Sequence, residues 1–293
     1  MCASLSLIKK SMKKFLLSIS LFGLGIAHAQ IGINEIYLQS GAFFGQTKGH
    51  LSDFQTLAPG SSILQQDLSA YQSSPMYSFN LPGQSQTLSL GFKLAQLPNA
   101  TLRLGIMHTG QRNALLVGGS YTESFRVDTL TSSQSGEQFF VDSFSTHSYN
   151  ANYSQEQLRI DASLLFRYRA DKRWSFFGGI GANFGLSYNA STTIHHRVSP
   201  YGDAFGYGFF NGIYYNDFGT HEFETFEHTG GFGLGVYAPL GIDFQVGKKR
   251  EFWKPLHLYV ELRPGFNVNQ IAGLGTTFSA GNFSNLGLRF QFR

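Results

Sequence analysis

His221, Glu222, Glu224, Glu227 and His228 crowd one short stretch, with His195 and His196 upstream. Imidazoles and carboxylates at this density are what metal-assisted hydrolysis or general acid–base catalysis uses. Their spacing does not supply either. No H-E-x-x-H run is present, so no helix face offers two zinc ligands. Read as a strand, His221 and His228 have opposite parity and face apart. Read as a helix, Phe223, Phe226 and the nearby glycines give no stable repeat. Solvated loop histidines are expected here, with no catalytic residue, no metal ligand and no cofactor. A membrane-embedded lipid or peptide hydrolase remains as a third reading, and it would have to lose activity when His221 or His228 is changed.

A second set of charged residues is more orderly. Lys93, Arg103, Arg159, Arg167, Arg263 and Arg289, with Glu35, Asp161, Asp243 and Glu261, all fall at alternate positions of otherwise apolar stretches. Strict alternation over several residues places one side-chain class on each face of a strand. The clearest case runs from Leu158 to Tyr168, where Ile160, Ala162, Leu164 and Phe166 alternate with Arg159, Asp161, Ser163 and Arg167. The last stretch repeats it, with Leu286, Leu288, Phe290 and Phe292 against Asn285, Gly287, Arg289 and Gln291. One face carries almost no charge.

Eight such strands are predicted, over about 34–46, 85–97, 101–125, 156–170, 174–195, 228–247, 256–268 and 285–293, with an irregularity near Gly110. Connections alternate short (98–99, 171–173, 248–255) and long (47–84, 126–154, 196–227, 269–284). Phe252 and Trp253, in the last short turn, suit a membrane interface. A soluble sandwich also alternates but would expose charge on its outer face. A transmembrane antiparallel up-and-down β-barrel of eight strands, with short periplasmic turns and long extracellular loops, fits both the belt and the loop lengths. The composition agrees: 34 Gly, 29 Phe and 14 Tyr, with 14% charged residues against the usual quarter. An eight-stranded barrel has room inside only for its own side chains, so the inward charges should pair into a plug. A narrow, anion-favouring path is the alternative, since bases outnumber acids.

Residues 1–29 read as a cleaved secretory signal, with Lys9, Lys10, Lys13 and Lys14 ahead of an apolar run from Phe15 to Ile26 and an Ala27-His28-Ala29 cleavage site. That run is too short to span a bilayer. Met12 is an equally good start. Residues 30–293 should form a single barrel domain. The chain carries 22 Lys+Arg against 18 Asp+Glu. Four of those lysines lie in the signal, which leaves the rest formally neutral and gives no basic face for nucleic acid. The single cysteine, Cys2, lies in the signal too, so no disulfide is expected.

The signal, the eight alternating strands and the Gly287-x-Arg289-Phe290-x-Phe292 ending resemble the small outer-membrane β-barrel proteins of Gram-negative bacteria, the OmpA/OmpX-like type. The resemblance implies residence in the cell outer membrane and recognition of the terminal aromatic strand by the barrel assembly machinery. Here Arg293 follows the final phenylalanine, and a barrel with no peptidoglycan-binding domain is expected. A monomer in outer-membrane lipid is expected. Among the long loops, 196–227 holds Tyr201, Phe205, Tyr207, Phe209, Phe210, Tyr214, Tyr215 and Phe218 among glycines, the composition of adaptable recognition surfaces. These rings either bind an extracellular protein or glycan or cap the barrel mouth. In the first long loop, 53–57 and 62–65 suggest short helices, the second with a capping box, that could fold over the mouth as a lid. Residues 132–136 read as a mobile tip. The function expected is non-enzymatic, structural or surface-interacting, with a narrow pore or small-solute channel as the alternative.

Overall fold

The computed structural model describes residues 32–45, 47–73, 82–170, 172–203, 214–215, 220–247, 251 and 253–292. The proposed signal, 1–29, lies outside the described residues. Strands are β1 (Ile33–Phe44), β2 (Thr47–Lys48), β3 (Gln72–Ser73), β4 (Gly83–Leu94), β5 (Leu97–Thr131), β6 (Gln138–Tyr168), β7 (Trp174–Asp203), β8 (Tyr214–Tyr215), β9 (His221–His228), β10 (Phe232–Tyr237), β11 (Leu240–Gln245), β12 (Leu256–Ile271) and β13 (Gly275–Gln291), with one helix, α1 (Leu51–Leu57). β1, β4, β5, β6, β7, the β10–β11 pair, β12 and β13 each pair antiparallel with the next. β13 then pairs back onto β1. The ring is closed and has eight staves, so the barrel itself leaves no strand border free.

Following hydrogen-bonded partners round this ring from Leu38 leads through Leu88, Ile106, Ile160, Phe184, Leu234 and Val268 to Phe278. The direct partner of Leu38 is Leu288, ten positions further along β13. That stagger, with ~3.3 Å per residue and ~4.8 Å between strands, tilts the strands by roughly 40° to the axis. Outward side chains form an apolar belt. Ile160 and Ile180 are 67% and 69% exposed, and Trp174 and Trp253 lie at the end that carries the short turns. A belt of this extent would aggregate in water and suits hydrocarbon.

The strands are longer than their alternation suggests. β5 and β6 continue as one hairpin to a tip at 132–137, where a long loop over 126–154 was expected. β7 and β9 likewise carry pairing through much of 196–227. The expected loop 269–284 is a tight turn at 272–274 between paired strands. In these outer segments both faces meet water or the lid, so hydrophobic alternation is absent. Thr, Tyr, Phe and Val supply the β preference instead. The sixth stave is interrupted at 229–231 and again at Ala238-Pro239, where proline cannot donate to a ladder.

The breaks align. The β5–β6 register shifts between Gln111 and Leu115, and the β6–β7 register between Ser154 and Glu156. Asn189 takes a left-handed φ of 48°. Beyond this line the barrel gives way to a projecting sheet of β5, β6, β7 and β9. Its inner face is covered by α1 and the turns after it. Phe54, Leu57, Ile63, Leu64 and Leu68 bury themselves against Leu115, Tyr149, Ala151, Tyr153, Ile194 and Ile271. The helix is started by the His50 N–H donating to the Asp53 carboxylate at 2.8 Å. Residues 62–65 form a turn and not the expected short helix, and the Leu64 N–H donates to Ser61 Oγ at 3.1 Å rather than into a box beginning at Ser62.

Candidate functional site

Inside the ring, period two places polar side chains from all eight staves in one lumen, and they stack in layers. Nearest the turn end, Arg289 reaches Glu35 at 2.6 Å and Asp243 at 2.8 Å. Arg167 adds Asp243 at 3.3 Å and the Tyr37 hydroxyl at 2.5 Å. His257 Nδ1 is 2.6 Å from Asp243. In the next layer Glu261 takes a bidentate pair from Arg103, both at 2.7 Å, and a third bond from Arg263 at 2.5 Å. Gln39 donates to it at 2.8 Å. Arg263 also reaches Asp161 at 3.4 Å, whose other oxygen accepts from the Tyr237 hydroxyl at 2.6 Å. These charges are essentially fully buried. Each carboxylate is matched by at least one guanidinium, as burial requires.

Arg159 departs from the rule. Its guanidinium donates to Gln157 at 2.7 Å, Asn183 at 2.7 Å and Asn267 at 3.2 Å, all amide oxygens. Bulky residues fill the gaps between layers because glycines face them. A Cβ on Gly287 would lie 2.3 Å from the Tyr259 ring, and one on Gly241 2.2 Å from the Phe177 ring.

The alternation therefore brings Arg103, Arg159, Asp161, Arg167, Asp243, Glu261, Arg263 and Arg289 together. Lys93 is not with them. It has inward parity but sits beside the turn at 95–96 and is exposed, because an ammonium at the rim stays hydrated at no cost. The tyrosines Tyr37 and Tyr237, the amides Gln39, Asn183 and Asn267, and His257 belong to the network and were not singled out from sequence. Their inward parity was the available signal.

The lid closes the opposite end. Leu57 shares its buried cluster with Ile271, and Leu274 of the 272–274 turn packs on that cluster. Ser62 donates to Glu224 of β9 from its backbone at 3.0 Å and its hydroxyl at 2.6 Å. Burial pushes the Glu224 carboxyl up, but donors from Ser61, Ser62 and Ile63 outweigh it and hold it below the usual glutamate range. Tyr71 and His196 are joined at 3.1 Å.

The histidines of 195–228 are strand residues. His195 and His221 stack at 5.6 Å, and His196 is 3.7 Å from Glu222. His228 bonds Thr192 at 2.8 Å across the sheet. Burial lowers the His228 and His195 pKa, with His221 adding to the effect on His195. Among the described residues no three His, Cys, Asp or Glu converge on a metal position. One Ser–His–Glu contact exists, from Ser145 and Glu123 to His147, at 3.3 and 2.9 Å. Both partners use the same ring nitrogen, Nε2, so the imidazole cannot relay a proton as a triad does. Of the aromatic candidates, Tyr201 lies in β7 and pairs with Tyr215, while Tyr214 pairs with Gly202. Phe205, Tyr207, Phe209, Phe210 and Phe218 lie outside the described residues.

A closed ring of eight tilted strands, a largely apolar outer belt and a lumen of paired charges define the architecture. The chain has the fold of the small eight-stranded outer-membrane barrels. No family model and no curated protein matches it. Among solved structures it is similar to the Neisserial surface protein A (NspA), at 15% identity over 88% of this chain and 97% of that one, with a TM-score of 0.31. It is also similar to Ail, the attachment invasion locus protein of Yersinia pestis, in complex with the heparin analogue sucrose octasulfate. The identity there is 10% over 88% of this chain and all of that one, with a TM-score of 0.25.

Proposed function

We propose that this barrel resides in the cell outer membrane of a Gram-negative bacterium as a non-enzymatic, surface-interacting protein. On this reading the chain is exported through a cleaved signal over 1–29, inserted by the barrel assembly machinery and monomeric, with its short turns in the periplasm. The observation that carries it is the division of labour along the axis. The membrane section is packed by its own ion pairs and covered by a lid, so it has no room for transport. The four-stranded sheet continues well beyond the roughly 9–11 residues a strand needs to cross. What such a molecule offers the outside is the projecting sheet, in which β7 pairs with β8 at Tyr201–Tyr215 and Gly202–Tyr214.

The partner expected is an extracellular protein or glycan. Replacing Phe205, Tyr207, Phe209 and Phe210 by serine should leave the barrel folded, judged by resistance to unfolding in unheated detergent gels. It should also abolish retention of intact cells on arrayed glycans and matrix proteins. Unchanged retention would end the recognition reading, and failure to fold would make that run structural. The pore alternative is separated by planar-bilayer recording, in which discrete openings would displace the present reading.

A further inference from the structure

The outer belt is not uniform. Three rows of cross-strand partners show this on the β13–β1–β4–β5–β6 face. The lowest, Leu288, Leu38, Leu88, Ile106 and Ile160, is wholly aliphatic. The next contains Ser40, Gln86 and His108 between Leu286 and Leu158. The third contains Gln84, Gly110, Glu156 and Tyr188. The other side of the barrel keeps Phe184, Leu186, Leu234, Val236 and Phe232 outward. An outward glutamine among hydrocarbon lacks the partners its amide needs.

Two hollows follow these rows. A shallow groove of about 830 Å³ runs along the first two, floored by Leu38, Leu88, Ile106, Leu286 and Leu288. A polar notch of about 350 Å³ opens above it where β4 begins and the aligned breaks bend β5, β6 and β7. It is bordered by Gln84, Gln111, Gln155, Glu156 and Asn189. His108 lines both. Gln155 keeps the inward parity of Gln157 and Arg159, its Oε1 accepting from Ser187 Oγ at 3.1 Å, so the polar groups turned outward at the notch are Gln84, His108 and Glu156.

We propose that this face holds one membrane lipid with a neutral saccharide headgroup, its acyl chain in the leucine groove and its sugar in the notch. The groove is continuous with the lipid-facing belt, so its occupant is an acyl chain. The notch fixes the headgroup class. Its lining presents amides, a hydroxyl, an imidazole and one carboxylate, the mixed donors and acceptors that sugar hydroxyls need. His108 and Tyr188, rings 6.2 Å apart, offer apolar faces for a pyranose. No Lys or Arg borders the notch among the described residues, and Glu156 would repel a phosphate.

The test uses the full chain in phosphatidylcholine nanodiscs doped equally with glucosyl diacylglycerol and phosphatidylglycerol, read by native mass spectrometry after extraction. One glucosyl diacylglycerol per barrel should be retained, at least tenfold over either phospholipid. The double variant Gln84→Leu with Glu156→Leu should lose that preference at least tenfold while running as a folded barrel on unheated gels. If it does not fold, the single variant Gln86→Leu at the groove rim carries the same expectation. Ile180→Ala, on the far side, should leave retention unchanged. Preferential retention of phosphatidylglycerol, equal retention of all three lipids, or equal loss in Ile180→Ala would overturn the proposal.

Discussion

Glu261 accepts from two arginines and Gln39 at once, with no solvent to replace any of them. Glu261→Gln would leave Arg103 without a buried anion and Arg263 with Asp161, at 3.4 Å, as its one carboxylate partner, beside the Gln39 amide oxygen. Breaking a buried pair from one side costs about 3–5 kcal/mol, so the variant's urea midpoint in lipid vesicles should fall by that equivalent. Lys93→Ala, at the hydrated rim, should move it by less than about 0.5 kcal/mol. Arg159 separates the two effects. Its partners are neutral amides, so Arg159→Gln removes a buried charge without orphaning a carboxylate and should cost less than Glu261→Gln. An equal loss in all three variants would mean that the layers do not pair as described. Parity alone placed the arginines and acids inside. Pairing was not legible, because which guanidinium meets which carboxylate depends on a stagger that local sequence does not encode. Lys93 escaped for a related reason: alternation reports the face of a strand and not the height at which it leaves the bilayer.

Among elements, the lid is held by apolar packing and few polar ties. Its apolar side is buried against β5, β6 and β7, and its polar tie to β9 is Ser62 with Glu224. Glu224 has a folded pKa below its unfolded one, so its contribution is complete above the unfolded value and lost as the pH falls through the folded one. Hydrogen exchange over 51–68 should therefore quicken on acidification below the glutamate range, while β12 and β13 stay protected. Glu224→Gln should show the faster exchange at neutral pH and no further acid step. An acid step that survives in Glu224→Gln would assign it to another group. A short helix was readable at 53–57, and the structure begins it two residues earlier, at Leu51, behind the His50–Asp53 cap. The outer parts of the projecting strands were not readable, because 140–150 and 196–199 have lid or water on each face and no alternation to count. Their β preference lay in Thr, Tyr and Phe content, which a periodicity test ignores.

At the scale of the whole molecule, lid and plug are two closures in series, and only one of them depends on the loops. Deleting 51–71 exposes the apolar inner face of the projecting sheet but leaves the Arg103–Glu261–Arg263 and Arg289–Asp243–Arg167 layers untouched. If the lumen were closed by the lid alone, this deletion would turn the barrel into a pore. The layers fill the cross-section with side chains tied across the lumen, Arg103 of β5 to Glu261 of β12 and Arg167 of β6 to Tyr37 of β1 among them. Opening them requires breaking several buried charge-assisted bonds together, each worth about 1.5–3 kcal/mol. Planar-bilayer recording of the lidless variant should thus show no discrete conductance, as should the intact chain. Conductance in the lidless form only would make the lid a gate and the lumen a path, and the protein would then be a regulated channel. Silence in both leaves the projecting sheet as the part of the molecule that meets the outside.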